Sequence, residues 1–208
     1  MLKRPQRHTI EWNADMRLIV GMSGSSGVIY GIRLLQLLAE QPSIETHLVI
    51  SQSARMNVGI ETNWSLEAVE ALADVVHNNK NIAASIASGS FKTAGMLIVP
   101  CSMKTLSGVV NSYTDNLLTR AADVVLKERR RLVLVPRESP LHTGHCELLW
   151  RASQLGAVIC PPAPAFYTAP KSVEDIVDHT VARLLDLFDV EVPDMVRWQG
   201  TASGKAKA

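Results

Sequence analysis

Short apolar runs alternate along this chain with longer stretches whose apolar residues recur every three or four positions. Residues 17–22 (RLIVGM) form the first run, and residues 28–40 carry Val28, Ile32, Leu35 and Leu38 on one stripe, so a strand and an amphipathic helix are predicted. Residues 45–50 (ETHLVI) predict a second strand, followed by helical sequence through Ala73 and a short third strand at 74–77 (DVVH). The run 94–100 (AGMLIVP) predicts the next strand, and 106–128 a helical stretch broken near 111–113. Residues 132–135 (LVLV) are apolar without interruption, the pattern of a strand covered on both faces of a parallel sheet. Pro136 ends that strand because it has no N–H for the ladder. A helix at 145–155, a strand at 157–160, a proline-rich loop (PPAPAFY) and a helix at 172–187 complete the pattern.

Regular β–α alternation implies an α/β fold, a doubly wound parallel sheet with helices on both faces, in three layers. Right-handed crossovers then put the strand-to-helix loops on one rim, where open α/β sheets bind ligands. The functional residues are expected to gather on that rim. Residues 1–15 lack the apolar core of a signal peptide and read as a loose extension; 16–200 read as a single α/β domain, and 201–208 as a disordered tail.

A length of 208 residues allows roughly 70% of the unfolded surface to be buried without staples. Net charge is +1, which argues against a nucleic-acid binder, since phosphate-backbone affinity needs a dense basic surface. No apolar run has the length of a membrane span. Cys101, Cys146 and Cys160 cannot all pair and none sits in a CxxC, so a reducing, cytoplasmic setting is expected.

The candidate chemistry lies in loops. Gly21 to Gly27 (GMSGSSG) joins the first strand to the first helix, where glycines and free helix N–H groups suit a phosphate. Its GxxGxxG spacing is not the dinucleotide fingerprint, no acidic residue ends strand two, and no GK[ST] follows, so a mononucleotide such as FMN fits better than NAD. Residues 100–108 (PCSMKTLSG) form a second hydroxyl-rich loop, in which Ser102 alone would read as a helix cap. Arg137 and Glu138 follow the buried strand 132–135, an anion holder beside a proton carrier. Lys127, Arg129 and Arg130 read as a solvated cationic helix end. Ser88-Gly89-Ser90 is a small turn, and Tyr167 is either a packed aromatic or an anion partner. His142, His145 and Cys146 are too crowded for a zinc site, and His47 reads as a satisfied or half-exposed strand histidine.

Taken together, the segments LIVGMSGSSGVIYGIRLL, THLVISQSA, IETNWSL, SIASGSF, IVPCSMKTLSGV, LLTRAADVVLKERRRLVLVPRESPLH, GAVICPPAPAFY and RWQG resemble the UbiX/Pad-type flavin prenyltransferase family from about Met16 to Gly200. The resemblance implies a Rossmann-like sheet carrying reduced FMN as acceptor of a dimethylallyl group from dimethylallyl monophosphate, with no metal. It implies FMN contacts from Gly24, Ser25, Ser26, Ser51, Ser102, Met103, Lys104, Thr105 and Arg137. It implies that Lys127, Glu138, Tyr167 and Arg183 surround the substrate phosphate, joined by Arg120, Ser88, Gly89 and Ser90. Glu61 would lie beside the flavin and Trp198 at the mouth of the site. Lys127, Glu138, Glu61 and Ser26 are the catalytic candidates, with Glu138, Glu61 and the released phosphate open as proton acceptors. Gln52 stands where many relatives carry lysine.

The implied product, prenylated FMN, would go to a UbiD-type aromatic acid decarboxylase. Relatives form large homo-oligomers, often dodecamers, so that Arg120 could serve a neighbour's site. Three other readings remain at this point: an FMN-dependent decarboxylase of the cysteine-decarboxylase type, a non-catalytic flavin-binding subunit of a hydroxyarylic acid decarboxylase, and a catalytically silent α/β binding domain.

Overall fold

The computed structural model describes residues 16–193 and 195–200; the extension expected at 1–15 and the tail expected at 201–208 lie outside them. Six strands form one sheet: β1 (Met16–Met22), β2 (Ile44–Ile50), β3 (Val75–His77), β4 (Gly95–Cys101), β5 (Arg131–Pro136) and β6 (Val158–Ile159). Their spatial order is β3-β2-β1-β4-β5-β6, and every pairing is parallel. This is the doubly wound order, with its reversal point between β1 and β4.

Alternation along β1 divides the core in two, because successive side chains of a strand face opposite sides. Leu18, Val20 and Met22 join Leu48 and Ile50 under α1 (Val28–Ala39) and α7 (Val173–Asp186), which contribute Ile32, Leu35, Val181 and Leu185. Ile19, Val49, Met96 and Ile98 face the other way, under α4 (Met103–Val110) and α5 (Leu117–Lys127), with Leu106, Val109, Leu118 and Val125. Each fully buried aliphatic side chain contributes roughly 1.5–3 kcal/mol.

Polar residues set the element boundaries. The helical sequence after β2 splits into α2 (Gln52–Glu61) and α3 (Leu66–Glu70), since Ser65 caps a new helix through the N–H of Ala68. The break near 111–113 appears between α4 and α5, where Asn111 caps α4, Ser112 is left-handed and Asn116 caps α5. α4 starts at Met103, earlier than the 106 expected, because the Ser102 hydroxyl accepts the Thr105 N–H. α6 (Thr143–Gln154) starts from His142, whose Nδ1 accepts the Gly144 N–H.

At the amino edge of the sheet a polar chain is buried. Arg17 Nε donates to Glu45 at 3.0 Å, Glu45 Oε1 lies 3.0 Å from His47 Nε2, and His47 Nδ1 lies 2.9 Å from His77 Nε2. His47 is buried and fully partnered, and the edge of its ring meets Phe91.

Candidate active site

Four connections converge at the carboxyl edge, over the reversal point. Ser23 is their hub: its hydroxyl donates to Pro100 O at 3.1 Å and accepts the Ser102 N–H at 2.8 Å, while its own N–H also reaches Pro100 O. Ser102 in turn donates its hydroxyl to Thr105 Oγ1 at 3.1 Å. Ser51 N–H donates to Met22 O, and the Ser51 hydroxyl caps α2 through Ala54 N–H. Gly24 lies against Ser53, where a Cβ would overlap that side chain. Arg137 closes the ring: its N–H reaches Cys101 O and its Nε donates to Ser26 O at 3.3 Å. The expected flavin contacts Gly24, Ser25, Ser26, Ser51, Ser102, Met103, Lys104, Thr105 and Arg137 therefore share one edge.

The Ser25 hydroxyl gives the fit test for a flavin there. It is shielded from water and, among the described residues, has no partner, although the Ser25 carbonyl is held by Asn57 Nδ2 at 3.1 Å. A buried hydroxyl costs roughly 1–3 kcal/mol when unpaired, and a ligand oxygen would satisfy it. The amino ends of α2 and α4 point at the same edge and favour an anion. The amino end of α1 is already served: Glu61 Oε2 accepts the N–H of Gly27 at 2.8 Å and of Val28 at 3.3 Å. These residues fit FMN. Cys101, the last residue of β4, is fully buried and its thiol is pushed up to about 12, so it is no nucleophile near neutral pH.

The expectation that every functional residue sits on this rim is corrected. Lys127 ends α5 and precedes β5, and Ser88-Gly89-Ser90 follows a 3-10 turn (Ser85–Ala87) and precedes β4; both are helix-to-strand connections at the amino edge. Arg120, in the first turn of α5 at the other end of that helix from Lys127, reaches Ala87 O with its Nε at 3.3 Å. From Arg131 to Pro136 strand β5 rises about 16 Å. Within one chain, Lys127, Ser88, Gly89 and Ser90 therefore lie a strand's length from Arg137 and Glu138. The strand direction separates them, a fact invisible in the order of motifs.

At the amino edge, Lys127 Nζ lies 2.5 Å from Glu128 Oε1, and this hydrogen bond with its positive charge holds the Glu128 carboxyl below the usual carboxylate range. Ser88 and Ser90 pair their hydroxyls at 2.9 Å. Tyr167, Trp198 and Arg183 form a third group. Tyr167 meets the Trp198 ring edge-on at 5.5 Å, and its hydroxyl lies 3.3 Å from His179 Nε2. Arg183, on α7, donates to Asp186 Oδ2 at 2.5 Å, and Arg197 takes both oxygens of the same carboxylate at 2.6 Å. Hydrogen bonding to Arg197 and then to Arg183 holds Asp186 below the ordinary aspartate range.

Sequence reasoning passed over Ser23, Asn57 and Asp186, and read Arg130, which donates to Gly89 O and Phe91 O, as a solvated cation. Ser23 stands in the same loop as Ser25 and Ser26, and only its complete burial marks it as the hub.

The sequence matches the Flavoprotein family over residues 7–185. The flavin prenyltransferase UbiX of Salmonella typhimurium (strain LT2) is 61% identical over 186 residues, covering 88% of this chain and 98% of that protein. The chain belongs to the UbiX-type flavin prenyltransferase family. A dodecameric FMN-dependent UbiX-like decarboxylase from Escherichia coli O157:H7 superposes with a TM-score of 0.88 at 55% identity, covering 89% of this chain and 100% of the other. AnUbiX (PadA1), crystallised with FMN and dimethylallyl pyrophosphate, superposes with a TM-score of 0.87 at 48% identity, covering 89% and 98%. The FMN-dependent cysteine decarboxylase SpaF, at 16% identity and a TM-score of 0.60, shares the fold alone. Among the described residues no helix is long and apolar enough to cross a membrane, and no cluster of three or more potential metal ligands occurs.

Proposed function

We propose that this protein is a flavin prenyltransferase that transfers the dimethylallyl group of dimethylallyl monophosphate to reduced FMN. The observation that carries this reading is the 61% identity to a flavin prenyltransferase over nearly the whole of that relative. The converging hydroxyl-rich loops at the carboxyl edge, with the unpartnered Ser25 hydroxyl among them, support a flavin there.

When bound, reduced FMN supplies the nucleophilic ring that accepts the prenyl group. Ser25, Ser26, Ser51 and the Ser102–Thr105 turn hold and orient it. Arg137 spends Nε on Ser26 O, which leaves its terminal nitrogens for an anion. The allylic C–O bond breaks with its electron pair leaving on phosphate, so cations must gather where that charge develops. Lys127, Arg120 and Arg183 have that role, each charge-assisted contact worth about 1.5–3 kcal/mol. Tyr167 adds a hydroxyl donor, and Trp198 beside it covers the mouth. Proton removal falls to Glu138, which is exposed and receives the Ser139 N–H on one oxygen, leaving the other free. Glu61 is engaged at the start of α1.

Because Lys127 and the Ser88–Ser90 turn lie a strand's length from Arg137, a neighbouring copy must present its amino edge to this chain's carboxyl edge. A homo-oligomer, as in the dodecameric relative, completes the site. The product would serve a UbiD-type decarboxylase in the cytoplasm.

Anaerobic incubation with reduced FMN and dimethylallyl monophosphate, the diphosphate in parallel, tests the reading by flavin mass. A gain of one five-carbon unit is expected with the monophosphate. Flavin recovered unmodified from both would reject the proposal.

A further inference from the structure

The Ser88-Gly89-Ser90 turn is held from behind by arginines that touch only its main chain. Arg130 Nη1 donates to Phe91 O at 2.8 Å and Arg130 Nη2 to Gly89 O at 2.6 Å, while Arg120 Nε takes Ala87 O. Every second carbonyl of the segment is thereby tied down. Gly89 O and the Ser90 N–H belong to one planar trans peptide and point in opposite directions. Fixing the carbonyl toward Arg130 therefore turns the Ser90 N–H away from it. Among the described residues that N–H has no acceptor, and neither has the Gly89 N–H.

The Phe91 N–H closes the turn on Ser88 O at 3.2 Å and the Ser88 and Ser90 hydroxyls pair, but neither bond is made by the 89–90 peptide itself. Gly89 has no side chain to restrict its peptide planes, and it cannot have one: a Cβ would overlap Glu128 Oε1 and lie 2.8 Å from Lys127 Nζ. The glycine lets the turn approach Lys127 closely but leaves the 89–90 peptide free to rotate. Phe91 anchors the far end, its ring lying under the Arg17 guanidinium at 4.9 Å and against the His47 ring at 5.1 Å. Within the closed turn, the two-carbonyl bridge from Arg130 sets which way that peptide faces.

We infer that Arg130 is a positioning residue for the phosphoester: it orients the 89–90 peptide so that the free Ser90 N–H faces the anion beside Lys127. Arg130 does not itself touch the substrate. A lysine there would keep the charge but could not bridge two carbonyls in a fixed fork. The inference rests on the reading that this turn and Lys127 hold the substrate phosphate.

The test compares Arg130→Lys, Arg130→Met and Lys127→Ala in the assembled protein, measuring KM for dimethylallyl monophosphate, inhibition by inorganic phosphate, FMN affinity and oligomer size. Arg130→Lys is expected to raise both KM and the phosphate inhibition constant about tenfold, the loss of one charge-assisted hydrogen bond, with FMN affinity and assembly unchanged. Arg130→Met should do the same or more; if it does not assemble, Arg130→Lys stands alone as the test. Wild-type values for Arg130→Lys, with Lys127→Ala impaired, would overturn the positioning role and leave the phosphate site standing. Wild-type KM in Lys127→Ala would remove the phosphate site itself. A parallel fall in FMN affinity or oligomer size in Arg130→Lys would make the residue structural and also overturn the inference.

Discussion

The carboxylate of Glu61 accepts the backbone N–H of Gly27 at 2.8 Å across 34 positions of sequence. A residue from the last turn of α2 thus caps the first turn of α1, where Gly27 offers no side chain to do so. The bond ties the flavin loop, residues 23–27, to the helix beside it.

Replacing Glu61 by alanine should cost about 1 kcal/mol of stability, the usual loss on removing a helix cap, and weaken FMN binding. Glu61→Gln keeps an acceptor and should lose less. Thermal melting of the three proteins with and without FMN reads both effects, and an unchanged melting temperature in Glu61→Ala would show that the cap contributes nothing.

Ser23→Ala removes the hydroxyl that the Ser102 N–H uses, and leaves that N–H without its partner. A loss of about 1–3 kcal/mol is expected, with FMN affinity falling because both loops relax. Denaturant titration and flavin fluorescence measure the two. Stability reduced with FMN affinity intact would separate the hub from the cofactor site.

Burial pushes the imidazoles of His47 and His77 below the ordinary value of 6.5, with Glu45 and Asp74 acting against the shift at His47 and Arg17 adding to it. Below 6.5 the unfolded chain therefore binds more protons than the folded one, and stability falls with falling pH. The contribution is complete above 6.5 and is lost progressively as pH drops from there through the folded values. Urea midpoints at about pH 7.5 and about pH 5.5 should differ more in the wild type than in a His47→Gln, His77→Gln variant. Equal differences would place the acid sensitivity elsewhere.

Thiol labelling of the native protein should mark Cys146 and spare Cys101, which is buried with its thiol pushed up to about 12. Cys160, half-buried and raised by burial, should react slowly. Peptide mass mapping after brief alkylation decides it; early modification of Cys101 would mean that its loop opens in solution.

If two copies build one site, Lys127→Ala and Arg137→Ala chains, each strongly impaired alone, should regain about a quarter of the wild-type activity when mixed and reassembled at random. Activity that stays absent in verified mixed oligomers would place both residues in one chain's site.

Much of the fold was legible because burial leaves a local mark. Residues 132–135 are apolar without a gap since β5 is covered on both faces, and β1 shows the same signal. Caps are similarly local: Ser102, Asn116 and Ser172 each accept an N–H three residues on, a spacing visible in the chain. The carboxyl-edge candidates were found together because they follow strands directly.

The amino-acid order alone determined the alternation of strands and helices, the parallel sheet and the family, since apolar periodicity and short loop motifs are encoded residue by residue. Which edge each loop occupies was decided only in three dimensions. Lys127 and Arg137 stand ten positions apart, yet a whole strand lies between them, and strand direction rather than sequence distance sets their separation. Arg130 shows the same limit: as one cation in a basic run it looks solvated, and only the fold brings it to the carbonyls of Gly89 and Phe91.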